Sequence, residues 1–291
     1  MKRLLMLVLF FFIFSSILNL QAQDIEDNVS KYTSVNGKLY LQPLADAFGA
    51  NLNSGFFYSA KIKTFGLHID FGIKAMYAPI PAEKKTFTPQ PEMGWVPPAG
   101  TSLPTIFGDE HEVTVNGITF PGGVWNTDYF PLAVPQLTIG SFMGSDFTLR
   151  YVKYKIDDDI GDIKLYGWGI RHSLSQYIPL MFVNIAAAYY HQKFTVGDII
   201  DATATFAGLQ ASYSVSVLTL YGAAGIEQST LGIKYLYTEE GQSMEISFDL
   251  KGENHFRTTI GAALDLYFMK LHADYSMSSQ KVLSGGVVFG F

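Results

Sequence analysis

"VLSGGVVFGF", residues 282–291, is the stretch on which the fold turns. Leu283, Gly285, Val287, Phe289 and Phe291 share one face at a period of two, so a strand pattern runs to the last residue. The ends of soluble domains are ordinarily polar and loosely held. An aromatic residue that closes an alternating strand is instead predicted to lie in a sheet or against lipid.

The same alternation recurs upstream. In "FRTTIGAALDLYF" (256–268), Phe256, Thr258, Ile260, Ala262, Leu264, Leu266 and Phe268 oppose Arg257, Thr259, Gly261, Ala263, Asp265 and Tyr267. "LHIDFGIKAMY" (67–77), "MEISFDLKG" (244–252) and "KLHADYSM" (270–277) repeat it. Segments of about ten residues, bulky on one face and polar or small on the other, fit transmembrane barrel strands better than the five- or six-residue strands of a soluble sandwich. The expectation is an all-β chain: a transmembrane antiparallel β-barrel of about 12 strands, within a range of 10 to 14, with lipid outside and a narrow polar lumen inside. The candidates lie near 54–63, 67–78, 136–142, 146–156, 162–174, 180–194, 201–214, 218–236, 243–268, 270–278 and 282–291. These are eleven, and an even count requires 243–268 to be two strands or one strand to be hidden in a loop.

Composition agrees. Of 291 residues 48% are hydrophobic and 15% aromatic, with 23 Phe and 17 Tyr, which suits strands and interfacial girdles. Beyond the N-terminus no apolar run is long enough for a membrane helix. Lys2 and Arg3, then "LLMLVLFFFIF" (4–14) and "SSILNLQAQD" (15–24), have the order of a secretory signal peptide, read here as residues 1–22. Losing the two charges of Lys2 and Arg3 takes the formal net charge from −6 to −8, which offers no basic field for nucleic acid. Cysteine is absent, which excludes disulfides and thiolate chemistry.

Two interruptions break the strands. Ten of the 12 prolines fall between Pro79 and Pro135, so 79–135 is predicted to be a long loop and not wall. Residues 23–53 form an N-terminal segment in which Leu41, Leu44, Ala45 and Phe48 sit at helical spacing, with Gly49 as the expected exit. Such a helix is too short to span a bilayer and is expected to plug the barrel, residues 54–291, as a hatch or to lie at its periplasmic mouth.

The last ten residues resemble the C-terminal β-signal of bacterial outer-membrane proteins. That resemblance implies insertion by the barrel assembly machinery through Val287, Phe289 and Phe291, residence in the outer membrane of a Gram-negative bacterium, and contact with outer-membrane lipid and lipopolysaccharide. A second resemblance rests on the leader, "LADAFGANLNSG" (44–55), "LRYVKYKI" (149–156), "GDIKLYGWGIRHSLSQYIP" (161–179) and the terminal Phe. Together they look like the FadL-type transporters of hydrophobic compounds. In that group a luminal hatch gates passage of fatty acids or other apolar molecules, which implies a hydrophobic small-molecule ligand and hatch roles for Leu44, Phe48, Asn51 and Asn53. The group's Asn-Pro-Ala signature has no counterpart here, the nearest text being "NLNSG" (51–55).

Lumen or gate candidates are the inward charges Lys61, Lys63, His68, Asp70, Asp265, His272 and Asp274, joined by Arg150, Arg171 and Arg257. A network of ion pairs filling a small lumen is the plain alternative to a gate. His272, Asp274 and Ser276 share a face, but His272 and Ser276 lie about 13 Å apart along a strand, beyond hydrogen-bond reach, so no catalytic triad is expected. "DDDIGD" (157–162) has neither the spacing nor the terminal Glu of a calcium loop and reads as a solvated turn. No metal, cofactor or enzymatic activity is expected. The sequence thus favours an outer-membrane barrel for an apolar small molecule, with a non-transporting envelope scaffold as the alternative.

Overall fold

The computed structural model describes residues 28–290, apart from 30, 33, 93, 158–160, 179–181 and 240–241. The segment expected to be a leader, residues 1–22, and Phe291 lie outside the described residues. Helix α1 is Ser34–Leu52, and β1 is Phe65–Pro79. Four short strands follow in two ribbons, β2 (Thr86–Phe87) with β3 (Leu103–Pro104) and β4 (Val113–Val115) with β5 (Ile118–Phe120). The wall continues as β6 (Tyr129–Phe142), β7 (Ser145–Asp157), β8 (Gly161–Ser173), β9 (Asn184–Val196), β10 (Ile200–Val215) and β11 (Leu218–Glu239). It is completed by β12 (Gln242–Lys251), β13 (Phe256–Leu266), β14 (Met269–Met277) and β15 (Val282–Gly290).

Every ladder of the wall is antiparallel, and β1 pairs with both β6 and β15, which closes the sheet. Ten strands form the ring: β1, β6 to β11 and β13 to β15. Strand β12 stands apart from it, paired only with the far half of β11 from Thr230 to Glu239, while the near half of β11 pairs with β13. The ring of ten with β12 as an eleventh strand lies within the expected range of 10 to 14, one short of the central figure of twelve. The 243–268 segment is indeed two strands, and 54–63 is no strand but an unpaired stretch.

Closure leaves no open edge around most of the ring, which is what lets a sheet sit in hydrocarbon. Phe71 and Ile73 on β1, Ile260 and Leu264 on β13, and Val287 and Phe289 on β15 face outward and are exposed. On their inward faces the same strands bury polar residues, among them Asp70, Lys74, Arg257, Thr259 and Ser284. This apolar outer band over a polar interior makes the ring a transmembrane β-barrel.

Toward the other end of β8 to β12 the pattern reverses. Ile163, Leu165, Phe194, Val196, Ile200, Leu231, Ile233, Phe248 and Leu250 turn inward and share one buried cluster with Leu41, Leu44 and Phe48 of α1. Lys153, Lys164, Lys193, Asp201, Lys234 and Asp249 face outward and are exposed. Lys153 and Lys164 pair with Asp162 at 3.2 and 3.4 Å, and Lys193 with Asp201 at 2.8 Å. The expected rule of lipid outside and polar lumen inside thus holds for half the barrel. The rest is a water-facing dome around an oily centre.

That dome crowns one end, the loop end, where residues 80–128 connect β1 to β6. The opposite, turn end has two-residue links at 143–144, 216–217 and 267–268. The proline-rich loop is shorter than expected, because Pro79, Pro131 and Pro135 belong to wall strands. Strand β6 pairs with β7 only from Gln136 onward, so Pro131 and Pro135 sit where its second edge is unpaired and no N–H is needed.

Candidate functional site

The lumen is occupied by the chain's own N-terminal segment. Helix α1 enters from the loop end, held at its outer turn by Asn36, which donates to the Gln90 carbonyl (3.0 Å) and accepts from its N–H (2.8 Å). Leu41, Leu44 and Phe48 face the dome core, with Phe48 edge-on to Phe194 at 4.8 Å. The helix continues past Gly49 to Leu52, contrary to the expected exit. Glycine is required there for approach, since a Cβ would stand 2.1 Å from Ser229 Oγ on β11.

A helix ends in carbonyls without intrahelical donors and with a partial negative charge. Two arginines from opposite walls meet that end. Arg150 of β7 donates to the carbonyls of Leu52 (3.3 Å) and Ser54 (2.9 Å), is fixed by Gln136 (3.0 Å), and lies 4.0 Å from the Phe56 ring centroid. Arg257 of β13 donates to the Ala50 carbonyl (3.1 Å) and Ser54 Oγ (2.8 Å) and pairs with Glu227 at 2.9 Å. Asn51 binds the Phe130 carbonyl at 2.8 Å and Asn53 binds Glu227 at 3.1 Å. All four hatch candidates are therefore part of this plug.

Beyond the clamp the chain threads down the lumen. Phe56 stacks on Tyr190 at 3.8 Å, and Phe57 meets Tyr221 edge-on at 5.1 Å. Ser59 gives its carbonyl to Arg171, whose guanidinium also pairs with Asp146 of β7. Ala60 and Ile62 pack on Ala186. Around Asn53 to Phe57 only ≈ 20 Å³ of free space is left.

Apart from the clamp arginines Arg150 and Arg257, the expected charges form two groups. Deep in the wall, Lys74 meets His272 Nε2 at 2.6 Å, and Tyr221 bridges His272 (3.2 Å) and Asp274 (2.9 Å). Gly286 leaves room for this contact, as a Cβ there would lie 2.5 Å from His272 Nε2. Ser276 pairs with Thr259 at 2.9 Å instead of with His272. At the turn end, Lys61, Lys63, His68, Asp70, Arg171, Asp265 and Lys270 line an open mouth of ≈ 510 Å³. Asp70 accepts from Tyr58 and pairs with Lys270 at 3.5 Å. Sequence reading missed Lys74, Gln136, Asp146, Tyr221 and Glu227. The signal for Glu227 was a carboxylate at inward parity within the small-residue run of β11.

At the loop end Lys84 reaches Asp46 of α1 and Glu253 beyond β12, both at 2.9 Å. Burial alone would lower its pKa, and the two carboxylates outweigh this and hold it above 10.5. Tyr32 and Tyr40, packed under the loop ribbons, are pushed well up by burial. Among the described residues no group of three or more His, Asp or Glu side chains is placed to hold a metal ion.

Comparison with the curated proteins finds no match. Among solved structures the fold is similar to a loop-deletion form of OmpT, an outer-membrane protein of Vibrio cholerae, at 12% identity and TM-score 0.28. The match covers 55% of this chain and 54% of that one, so this chain spans about half of that relative's length. It is also similar to the outer-membrane protease OmpT of Escherichia coli (10% identity, 79% of this chain and 98% of that one, TM-score 0.32). A porin of Rh. blastica matches at 11% identity over 78% and 100% of the two chains, with TM-score 0.20. Likeness at this level carries no inference about chemistry, and none of these relatives is of the FadL type. The model of a family of unknown function, DUF6588, matches residues 1–291, and the chain belongs to that family.

Proposed function

We propose that the protein is an outer-membrane barrel kept closed by its own N-terminal segment, and that it works as an envelope scaffold through the water-facing dome at its loop end. In this reading residues 1–22 export the chain, and Val287, Phe289 and Phe291 guide its insertion by the barrel assembly machinery. The turn end then faces the periplasm and the long loop the outside. One observation carries the proposal: Arg150 and Arg257 clamp the end of α1 from opposite walls inside an otherwise filled lumen.

Planar-bilayer recording tests it. The intact chain is expected to give no conductance steps, and Arg150→Ala/Arg257→Ala to give intermittent ones as the plug loosens. Steady conductance from the intact chain overturns the closed barrel.

A second reading, binding or passage of an apolar molecule such as a fatty acid, is favoured by a specific feature. An apolar dent of ≈ 420 Å³ lies in the wall where β6, β1, β15 and β14 meet, with Ala133, Ala75, Gly285 and Ala273 in register across it. A photoreactive fatty acid that labels this dent, together with plug-dependent fatty-acid uptake by cells, would replace the scaffold with this reading.

A further inference from the structure

The turn-end mouth is the largest cavity described above, and its charge runs against that of the chain. Four cations, Lys61, Lys63, Arg171 and Lys270, line it with two carboxylates, Asp70 and Asp265, in a protein of formal charge −6. Arg171 is bound to Asp146, and Lys270 to Asp70. Asp265 accepts the N–H of Tyr267 at 3.1 Å. Lys61 and Lys63 have no ion-pair partner among the described residues.

Their placement is built by the threaded segment. Ala60 and Ile62 are buried against Ala186, so the alternation of an extended chain turns Lys61 and Lys63 the other way, into the mouth. Their attachment points are about 6–7 Å apart, two residues along an extended backbone. Across the cavity stand hydroxyl donors. Ser214 and Thr219 share a single 2.8 Å hydrogen bond, which leaves one hydroxyl hydrogen of the pair free, and Ser216 lies beside them.

We propose that this mouth binds a small phosphate-bearing anion. Ammonium groups act as point charges toward phosphate, and a phosphate offers several acceptor oxygens to surrounding N–H and O–H donors at a charge near −2, a diphosphate more of both. The cavity is within the volume range of small-molecule sites. Both partners of the buried Arg171–Asp146 pair come from the wall, so the floor of the site stays fixed while the lysines adapt. Binding here is independent of any partner at the dome, because the threaded segment fills the lumen between them.

The test is calorimetric titration of inorganic pyrophosphate into the refolded full chain at constant ionic strength. Saturable binding is expected, weakened at least tenfold in Lys61→Gln/Lys63→Gln, retained in Lys61→Arg/Lys63→Arg, and unchanged in the outer-wall control Lys153→Gln/Lys164→Gln. Lys61 and Lys63 are exposed, so the variants are expected to fold, which the β-sheet circular dichroism checks. Absence of saturable binding, equal weakening by the control, or tighter binding of citrate than of pyrophosphate overturns the proposal. Repeating the titration in discs of phosphatidylcholine and of phosphatidylglycerol separates the sources: weaker pyrophosphate binding in the anionic disc assigns the mouth to a lipid headgroup, and equal binding assigns it to a free solute.

Discussion

At the scale of the residue, the plug depends on charges that cannot be removed singly. Arg257 is almost completely buried, and Glu227 opposite it has one oxygen, Oε1, without a partner. Replacing Arg257 by Met leaves that carboxylate in a dry site and removes one of the two donors to the Ala50 carbonyl, Ser54 Oγ being the other. Loss of one partner of a buried pair costs about 3–5 kcal/mol, whereas removing both charges costs far less. Arg257→Met is therefore expected to lower the midpoint of denaturant unfolding in detergent, and Arg257→Met/Glu227→Gln to recover most of the loss. No recovery in the double variant would mean that the guanidinium acts through its helix contacts alone.

At the scale of the element, Lys84 fastens three pieces together: the long loop, α1 and the turn after β12. A lysine whose folded pKa is raised contributes stability that is fully present below its unfolded value, near 10.5, and that is lost as pH climbs through the folded value. With Glu253 exposed the latch is worth roughly 0.5–1 kcal/mol. Fluorescence of Trp95 and Trp125, both packed in the cap, is expected to report loosening only as pH rises above about 10.5 in the native chain and to lose that step in Lys84→Met. The elements also show what sequence could tell. Alternation announced β1, β13, β14 and β15, because their bulky faces meet one solvent along the whole length. Helical spacing announced α1. The start of β6 was hidden by Pro131 and Pro135, since a proline's cost depends on whether its edge is paired, and pairing is a property of the neighbour. Likewise the pairing of Lys74 with His272 follows from the register of β1, β15 and β14, which no single strand encodes.

At the scale of the whole molecule, the barrel obeys two solvents in succession. Strands β8 to β11 put bulk outward near the turn end and inward near the loop end, so on β9 the same outward parity is lipid-facing at Tyr189 and water-facing at Lys193, while Ile260 on β13 lies in the lipid-facing band. Ile260→Lys is expected to cost about 2–4 kcal/mol in lipid vesicles, as for a lysine near the bilayer midplane. Lys193→Leu, at the same parity but in the dome, is expected to leave the folded fraction nearly unchanged. Equal effects would erase the boundary between the two zones.

The threaded plug also governs the order of events in the protein's history. Its helix, about 10 Å across, lies at the loop end, while the chain that carries it joins β1 at the turn end. Once β1 has met β15, that helix has no passage back through a lumen filled by Tyr190, Tyr221 and two arginines. The N-terminal segment must therefore be in place before the first and last strands are zipped together. On this order of events the wall is wrapped around its own stopper and is not filled after closure.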